Sequence, residues 1–217
     1  MDIKAILFDL DGTLNNTLLD IANAMNRALR LHGLPEYEVD AYRYMVGDGV
    51  YTLAKRAVGE HQELADAVRR EYQSWYQDHT QVTTRPYEGI PEMLQQLMTT
   101  GLKLCVFSNK PHNDTVNVIH HYFPQVSFDV IRGQVDGVPV KPAPDGTLIA
   151  AREMGIAPEN FLYLGDTSTD MRCAAAAGMH PVGVTWGFRE EQELRESGAE
   201  FIIHHPHELF ALLEENA

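Results

Sequence analysis

The sequence predicts an α/β fold: a doubly wound, Rossmann-like parallel sheet with a small α-helical cap inserted after the first strand. Three observations support this prediction. Short apolar runs recur along the 217 residues, segments of helix length separate most of them, and one long stretch near the start has helical patterning only. Strands that are apolar at every position are typical of a parallel sheet covered by helices on both faces.

Six short apolar runs are the predicted strands. They are Ile3–Phe8, Leu102–Phe107, Phe128–Ile131, Phe161–Leu164, Pro181–Thr185 and Phe201–Ile203. Segments of mixed polarity lie between most of them and predict helices at Pro91–Thr100, Asn113–Tyr122, Asp145–Met154 and Thr169–Ala177. This alternation of strands and helices predicts the doubly wound arrangement.

About 90 residues separate the first predicted strand from the second, and none of them forms a convincing strand. Apolar residues spaced by three and four predict an amphipathic helix through Leu18, Ile21, Ala22, Met25 and Leu29. Further helical segments follow at Val39–Met45, Val50–Val58 and Leu64–Tyr76. A crossover connection needs only a dozen or more residues. We therefore predict a helical cap at 16–84 and a catalytic core formed by 1–15 and 85–217.

Composition and charge argue against several classes of protein. The chain is 44% apolar and 22% charged, as in ordinary globular proteins. Seventeen Lys and Arg against 31 Asp and Glu give a net charge of −14, which repels nucleic acid and anionic membranes, so neither is an expected partner. Without a signal peptide or an apolar run of about 18 residues, we expect a cytoplasmic protein. Its two cysteines are expected to be reduced and buried, and its oligomeric state stays open.

Polar and charged residues follow the predicted strands at the edge where parallel sheets bind ligands. They are Asp9 and Asp11 after the first strand, Ser108, Asn109 and Lys110 after the second, Lys141 before a helix start bracketed by prolines, and Asp166 and Asp170 after the fourth. Clustered carboxylates repel one another and favour a hard divalent cation, so Mg²⁺ is the expected cofactor. Acids, a hydroxyl group and lysine at one sheet edge are typical of phosphoryl transfer, in which a carboxylate can act as the nucleophile.

Four of these segments resemble the ordered motifs of the haloacid dehalogenase superfamily. They are DLDGT from Asp9, SN at Ser108, KP at Lys141 and GDTSTD from Gly165, and the helical insertion is similar to the small cap of that superfamily. Within the cap, YMVGDGVYTLAKRAVG resembles the cap loop of phosphoglycolate phosphatases, as do TWGF near Trp186 and GMHPVGVT. The resemblance implies a Mg²⁺-dependent phosphomonoester hydrolase that works through an aspartyl-phosphate, with 2-phosphoglycolate as the expected substrate.

The resemblance also implies a role for each motif residue. Asp9 is the expected nucleophile and a metal ligand, and Asp11 is the expected acid and base, with its backbone carbonyl also on the metal. Asp166 is a further metal ligand. Asp170 is also expected at the metal site, where it would orient a metal-bound water or Lys141. The phosphoryl group would be held by Ser108, Asn109 and Lys141.

A cap segment is the predicted specificity loop. A substrate as small as 2-phosphoglycolate must be recognised chiefly through its carboxylate, which requires a cation or backbone N–H donors. Gly47 and Gly49 allow close approach of the backbone, and Lys55 and Arg56 follow on a helix. We predict that Arg56, whose planar guanidinium matches a carboxylate, contacts the substrate.

The residues argue against two other interpretations of the motifs. Asp9 to Gly12 does not open an EF-hand loop, because the sixth position is Leu14 rather than glycine. The glycine-rich turn of a dinucleotide fold and the GxxxxGK[ST] phosphate loop are both missing. Two alternatives remain open. One is a phosphatase or phosphomutase for another small metabolite, such as a sugar phosphate, nucleotide or pyrophosphate; the other is a catalytically silent protein that binds a phosphorylated metabolite.

Overall fold

The computed structural model describes residues 1–215, and its core is a six-stranded parallel sheet, as the sequence predicts. The strands are β1 (Ala5–Phe8), β2 (Asn15–Asn16), β3 (Arg85–Pro86), β4 (Lys103–Pro111), β5 (Val130–Gln134), β6 (Phe161–Gly165), β7 (His180–Val184) and β8 (Phe201–Ile203). The order in the main sheet is β5-β4-β1-β6-β7-β8, and every neighbouring pair is parallel. The chain thus builds outwards from β1 in both directions, which opens a crevice at the carboxyl ends of the central strands.

Helices cover both faces of the sheet and form the insertion. They are α1 (Leu18–Leu31), α2 (Val50–Ala57), α3 (Ala65–Tyr76), α4 (Ile90–Leu97), α5 (His112–Tyr122), α6 (Asp145–Met154), α7 (Ser168–Ala177), α8 (Glu191–Glu196) and α9 (Glu208–Glu215). The segment predicted as a helix at Val39–Met45 is a 3₁₀ helix at Val39–Tyr44. No helix within 1–215 is both long enough and apolar enough to cross a membrane.

Two apolar layers sandwich the main sheet. Ile6 and Phe8 of β1 face one layer, and Ala5 and Leu7 face the other. All four side chains are fully buried, because successive residues of a strand point to opposite faces and both faces are covered. The apolar runs that predicted strands therefore reflect double-sided burial. Cys105 and Cys173 are buried, free thiols in the second layer, as expected.

The cap has an apolar cluster of its own. α1 packs against α3 and α2, and their buried faces meet around Met25, Leu53 and Val68. Phe188, from the core loop after β7, inserts into the same cluster. The cap thus has a small hydrophobic cluster of its own, and the Phe188 side chain joins this cluster to the core domain.

The two chain segments that join cap and core lie side by side. Asn15–Asn16 pairs antiparallel with Arg85–Pro86, a two-residue ladder that the sequence analysis missed. Inside the cap, the Asp20 carboxylate accepts hydrogen bonds from the backbone N–H groups and hydroxyls of Thr83 and Thr84. These contacts support 16–84 as the extent of the cap, which stays a proposal. The last two residues of the proposed core range 85–217 lie outside the described residues.

Candidate active site

The carboxyl edge of the sheet gathers the predicted motif residues. Asp9 follows β1, Asp166 follows β6, and Asp170 lies in the first turn of α7. Ser108 lies inside β4, which runs further than predicted and has an irregular register between Phe107 and Pro111. All four motif side chains are buried, so the crevice holds a desolvated cluster of charge.

Lys141 lies between two acids of this cluster. Its Nζ donates to Asp9 Oδ1 at 2.8 Å and to Asp170 Oδ1 at 2.7 Å, and it approaches the Phe107 carbonyl at 3.3 Å. The side chain is 1% exposed. Burial alone would lower the pKa of Lys141, but the two carboxylates outweigh it and raise that pKa far above its usual range. Lys141 is therefore a permanent ammonium between two acids.

The acids outnumber the cation at this site. Carboxylate oxygens of Asp9, Asp166 and Asp170 all lie within 4.8 Å of one another. Burial, then the negative charge of Asp170, raises the pKa of Asp9 to about 7 in spite of Lys141. Burial, then Asp170 and Asp9, also raises the pKa of Asp166 well above its ordinary value. Such a set of hard oxygen ligands with excess negative charge fits a divalent cation of the Mg²⁺ type.

Asp166 is held rigidly in the cluster. The Thr13 hydroxyl donates to its Oδ1 at 3.2 Å, and the Phe188 N–H donates to its Oδ2 at 2.8 Å. Gly12 has φ +91°, and a Cβ at that position would collide with the Asp166 carboxylate. The glycine of the first motif is therefore required by both its conformation and the acid that it faces.

Asp170 is engaged by protein donors on both oxygens. Its Oδ1 accepts from Lys141 and from the Tyr163 hydroxyl at 3.3 Å, and its Oδ2 accepts from the N–H and hydroxyl of Thr167, at 3.2 and 2.7 Å. The Thr167 contacts form a capping box that starts α7. Of the roles that the resemblance implies for Asp170, these contacts favour the orientation of Lys141.

Ser108 and Asn109 differ in what their side chains do. Ser108 Oγ accepts a hydrogen bond from the Lys110 N–H at 3.2 Å, so its own proton stays available. The Asn109 amide donates to the carbonyls of Gly47 and Lys141 at 2.9 and 3.1 Å and accepts from the Lys141 N–H at 2.8 Å. Ser108 thus suits the predicted phosphoryl contact, whereas Asn109 positions Lys141 and the cap loop.

A cavity lies between cap and core directly above Asp9. Its free volume is about 490 Å³, including the part open to solvent. The core side is polar and contains Asp9, Asp11 and Ser108. The cap side is mostly apolar and is lined by Ile21, Val46, Gly47, Gly49, Val50, Leu53, Tyr72 and Tyr76. Gly47 and Gly49, predicted from the sequence, therefore line the cavity.

Arg56 is not among the residues that line the cavity, which corrects the predicted specificity contact. Its guanidinium donates to the Met45 carbonyl at 2.8 Å and to Asp48 Oδ2 at 2.6 Å. Asp48 in turn accepts a hydrogen bond from the Thr169 hydroxyl of the core through its Oδ1. Because these acceptors engage the guanidinium, Arg56 braces the loop between Met45 and Asp48.

Lys110 and Tyr76 are site residues that the sequence analysis did not assign. Lys110 Nζ lies 3.0 Å from Asp11 Oδ1 and donates to Asp11 Oδ2 at 3.1 Å and to the Tyr76 hydroxyl at 2.8 Å. Burial alone would lower the pKa of Lys110, but the Asp11 carboxylate raises it above its usual value. Its place directly after Ser108 and Asn109 was a usable signal, whereas Tyr76, the last residue of a cap helix, gave none.

Comparisons with known proteins agree with this geometry. The sequence model of the haloacid dehalogenase-like hydrolase family matches residues 6–184. The chain is 32% identical to the N-acetylmuramic acid 6-phosphate phosphatase of Pseudomonas aeruginosa, over 99% of this chain and 96% of the relative. It is also 32% identical to the phosphoglycolate phosphatase of Aquifex aeolicus, over 98% of this chain and 97% of the relative.

Solved structures repeat the fold along the whole chain. A candidate phosphoglycolate phosphatase from Lactobacillus delbrueckii subsp. bulgaricus superposes with a TM-score of 0.91 at 30% identity, covering 96% of this chain and 97% of its own. A haloacid dehalogenase-like hydrolase from Streptococcus pneumoniae superposes with a TM-score of 0.89 at 25% identity, covering 98% and 99%. With its motif residues gathered at one sheet edge under a helical cap, the chain belongs to the haloacid dehalogenase-like hydrolase family.

Proposed function

We propose that the protein is a Mg²⁺-dependent phosphomonoester hydrolase that works through an aspartyl-phosphate on Asp9, with 2-phosphoglycolate as its substrate. The observation that carries this proposal is the state of Asp9. Lys141 fixes one of its oxygens, and none of the residues from 1 to 215 donates a hydrogen bond to the other, which belongs to a side chain on the cavity wall. A held carboxylate with one free oxygen is suited to attack on phosphorus.

The first step transfers the phosphoryl group to the enzyme. Asp9 Oδ2 attacks phosphorus and the ester P–O bond breaks, while the leaving oxygen takes a proton from the Asp11 carboxyl group. Lys141 keeps Asp9 in place, and the Ser108 hydroxyl donates to a phosphoryl oxygen. Mg²⁺ held by Asp9 and Asp166 would supply positive charge to the phosphoryl oxygens as negative charge develops.

The second step returns the enzyme to its starting state. Asp11, now a carboxylate, accepts a proton from water as the water oxygen attacks phosphorus. The bond between phosphorus and Asp9 breaks, inorganic phosphate leaves, and Asp11 is again protonated. One residue thus serves as acid and then as base, which requires that it stay at the same place beside the reacting group, where Lys110 holds it.

The choice of 2-phosphoglycolate rests on the relatives and on substrate chemistry. Several relatives that match nearly the whole chain carry the name phosphoglycolate phosphatase, including those of Aquifex aeolicus and Nitrosospira multiformis. A substrate with two acidic ends needs positive charge at both. Lys141, through its contact with Asp9, serves the phosphoryl end, and Lys110 is a second buried cation, which lines the cavity.

A second candidate substrate is N-acetylmuramic acid 6-phosphate, the compound for which the Pseudomonas aeruginosa relative is named. The apolar cap wall formed by Val46, Val50 and Leu53 favours it, because a sugar ring offers more surface to such a wall than a two-carbon acid does. This candidate falls within the sugar phosphates that the sequence left open.

A panel of phosphomonoesters tests the proposal. Purified protein with Mg²⁺ is assayed for phosphate release from 2-phosphoglycolate, N-acetylmuramic acid 6-phosphate, other sugar phosphates, nucleotides, pyrophosphate and p-nitrophenyl phosphate. The highest kcat/KM is expected for 2-phosphoglycolate, and activity should vanish in excess EDTA. The best substrate within the panel separates the two candidates. No turnover of any ester would favour the catalytically silent alternative.

A further inference from the structure

We propose that Lys110 selects substrates that carry a carboxylate on the same carbon as the phosphate ester, the class of the 2-phosphocarboxylates. The inference rests on the proposed function and deepens it, because it assigns the residue that recognises the second acidic end of the substrate. It moves that recognition from the cap residue Arg56 to a residue of the core sheet.

Lys110 is the one positively charged side chain among the residues that line the cavity within the described part of the chain. It is 6% exposed, so its charge is almost fully removed from water. Lys141, the other buried lysine of the site, is committed to Asp9 and Asp170. A carboxylate that enters the cavity therefore has a single ammonium to meet.

The ammonium of Lys110 has donor capacity left. A lysine carries three N–H donors. One bonds to Asp11 Oδ2 and one to the Tyr76 hydroxyl. Asp11 Oδ1 lies 3.0 Å from Nζ but forms no hydrogen bond, and no other residue from 1 to 215 accepts one from this ammonium. The ring of Tyr76 also lies under the ammonium, at 4.6 Å from Nζ to the ring centroid. Lys110 is thus fixed in position with one N–H unused.

The position of Lys110 matches one class of substrate. In the proposed mechanism Asp11 protonates the ester oxygen, which requires a contact of about 2.6–3.2 Å. Lys110 Nζ lies 3.0 Å from Asp11 Oδ1 and 3.1 Å from Asp11 Oδ2. The ammonium therefore comes within roughly 6 Å of that ester oxygen, whichever carboxyl oxygen carries the proton. In 2-phosphoglycolate the carboxyl carbon is two bonds from the ester oxygen, so its carboxylate lies within reach of the unused N–H.

The same geometry disfavours the sugar candidate. The carboxylate of N-acetylmuramic acid 6-phosphate is carried on the opposite side of the sugar ring from the phosphate, many bonds from the ester oxygen. It cannot reach Lys110 while the phosphoryl group is on Asp9. Lys110 therefore discriminates by the spacing between the two acidic groups, since specificity is a difference between two affinities.

The test compares two substrates of matched length, 2-phosphoglycolate and ethyl phosphate, which lacks the carboxylate. The Lys110→Met variant keeps an unbranched side chain that is one atom shorter and removes its charge. The ratio of kcat/KM for 2-phosphoglycolate to kcat/KM for ethyl phosphate should fall by a factor on the order of 10 to 100, the loss of one charged hydrogen bond. An unchanged ratio, with both substrates slowed alike, would mean that Lys110 only positions Asp11 and would overturn the proposal.

Two further variants serve as controls. Lys110→Arg keeps the charge and should retain part of the preference. Lys103→Met removes a half-exposed lysine at the start of the same strand, where it pairs with Asp129, and should leave the ratio unchanged. A fall in the ratio for Lys103→Met as large as for Lys110→Met would assign the effect to net charge and contradict the proposal.

A further test uses the unmodified protein, so its result does not depend on whether a variant folds. Moving the carboxylate one carbon further from the ester, as in 3-phosphooxypropanoate, should lower kcat/KM at least about tenfold relative to 2-phosphoglycolate. Equal values would overturn the role of Lys110 and leave the phosphatase proposal intact, provided that ethyl or p-nitrophenyl phosphate is hydrolysed. Failure to hydrolyse any ester would instead overturn the proposed function and the inference that rests on it.

Discussion

The core and the cap contact the active site in different ways. On the core side, charged side chains bind one another across the sheet edge, as Lys141 does with Asp9 and Asp170. On the cap side, backbone carbonyls also bind the core: Asn109 donates to Gly47 O, and Arg189 donates to Val46 O. Cap side chains contribute as well, since Arg43 donates to the carbonyls of Gly187 and Phe188. A side chain must be of one type to do its chemistry, whereas every residue offers a carbonyl. The core motifs are therefore constrained by side-chain identity, while the fit of the cap depends in part on backbone shape.

The largest expected effect is in the core, on the nucleophile. Asp9→Asn should lower kcat by a factor on the order of 10⁴ or more, as loss of a nucleophile does in other enzymes, while the amide oxygen still accepts from Lys141. Phosphate release measures the loss of kcat, and circular dichroism checks that the fold is retained. A phosphorylated intermediate trapped on any residue other than Asp9 would contradict it.

The second-largest loss of activity is expected at Asp11, the proposed general acid. Asp11→Asn should slow turnover by roughly 10² to 10⁴, the range for a general acid. The loss should be smaller for p-nitrophenyl phosphate than for alkyl phosphates, because a good leaving group needs less protonation. Steady-state kinetics on both kinds of ester tests this expectation, and equal losses would argue against leaving-group protonation.

The attachment of the cap is tested at Asp20, a buried cap residue. Asp20→Ala leaves the buried donors of Thr83 and Thr84 without their acceptor and should lower the free energy of unfolding by roughly 3 kcal/mol. Urea denaturation measures it, with Asp66→Ala, an exposed acid of α3, as the matched control. A change no larger than that of the control would mean that the linker is held by other contacts.

The Asp20 contribution also has a definite pH dependence. Burial alone would raise the pKa of Asp20, but the hydrogen bonds from Thr83 and Thr84 lower it below its ordinary value of 3.8. A carboxyl group whose pKa is lower in the folded state stabilises the fold above the unfolded pKa and loses that contribution as pH falls through the folded pKa. The difference between Asp20→Ala and the unmodified protein should therefore shrink below about pH 4.

Metal binding is expected to stabilise the folded protein at the sheet edge. Because the pKa of Asp9 is about 7 in the folded protein and 3.8 is its ordinary value, the metal-free protein should lose stability through this group as pH rises from about 4 to 7. Mg²⁺ competes with protons for these carboxylates. Mg²⁺ should thus raise Tm by a few degrees, and more at pH 8 than at pH 6. Thermal melts with Mg²⁺ and with EDTA test this, and Asp166→Asn should reduce the Mg²⁺ effect.

The smallest expected effect is at Arg56 in the cap. Since its partners are Met45 and the half-exposed Asp48, Arg56→Ala should lower kcat/KM only a few-fold, and alike for all substrates. Arg195→Ala, which removes another exposed arginine paired with a glutamate, is the control. A loss confined to 2-phosphoglycolate would instead return Arg56 to the substrate contact that the sequence predicted.

The core was predictable because its signals are local. Strand β1 is apolar at each position and is followed at once by Asp9 and Asp11, so one short segment predicts both the buried strand and the candidate catalytic acids. Helix α6 was predicted with its observed bounds because prolines precede it and Gly155 ends it. Each of these features depends on residues that are neighbours in sequence.

The missed features depend on contacts between distant residues. Lys110 is held by Asp11, 99 positions earlier, and by Tyr76 in the cap. The pattern predicts that Asp11 and Lys110 lie at the same sheet edge, but it predicts neither their pairing nor the contact with Tyr76. Arg56 was misplaced because its helix is only eight residues long, and which acceptor takes its guanidinium depends on how the loop ahead of it folds. β2 and β3 were missed because two-residue strands have no period to detect.

The pairing of Asn15–Asn16 with Arg85–Pro86 brings the entrance and the exit of the proposed cap to one place. The two chain segments form a two-stranded ribbon that is separate from the six-stranded sheet. A tight turn joining Asn16 to Arg85 would complete a hairpin with the register already present, in which Asn16 faces Arg85. An insertion of different length at this point would thus leave the path of the chain through the core sheet unchanged.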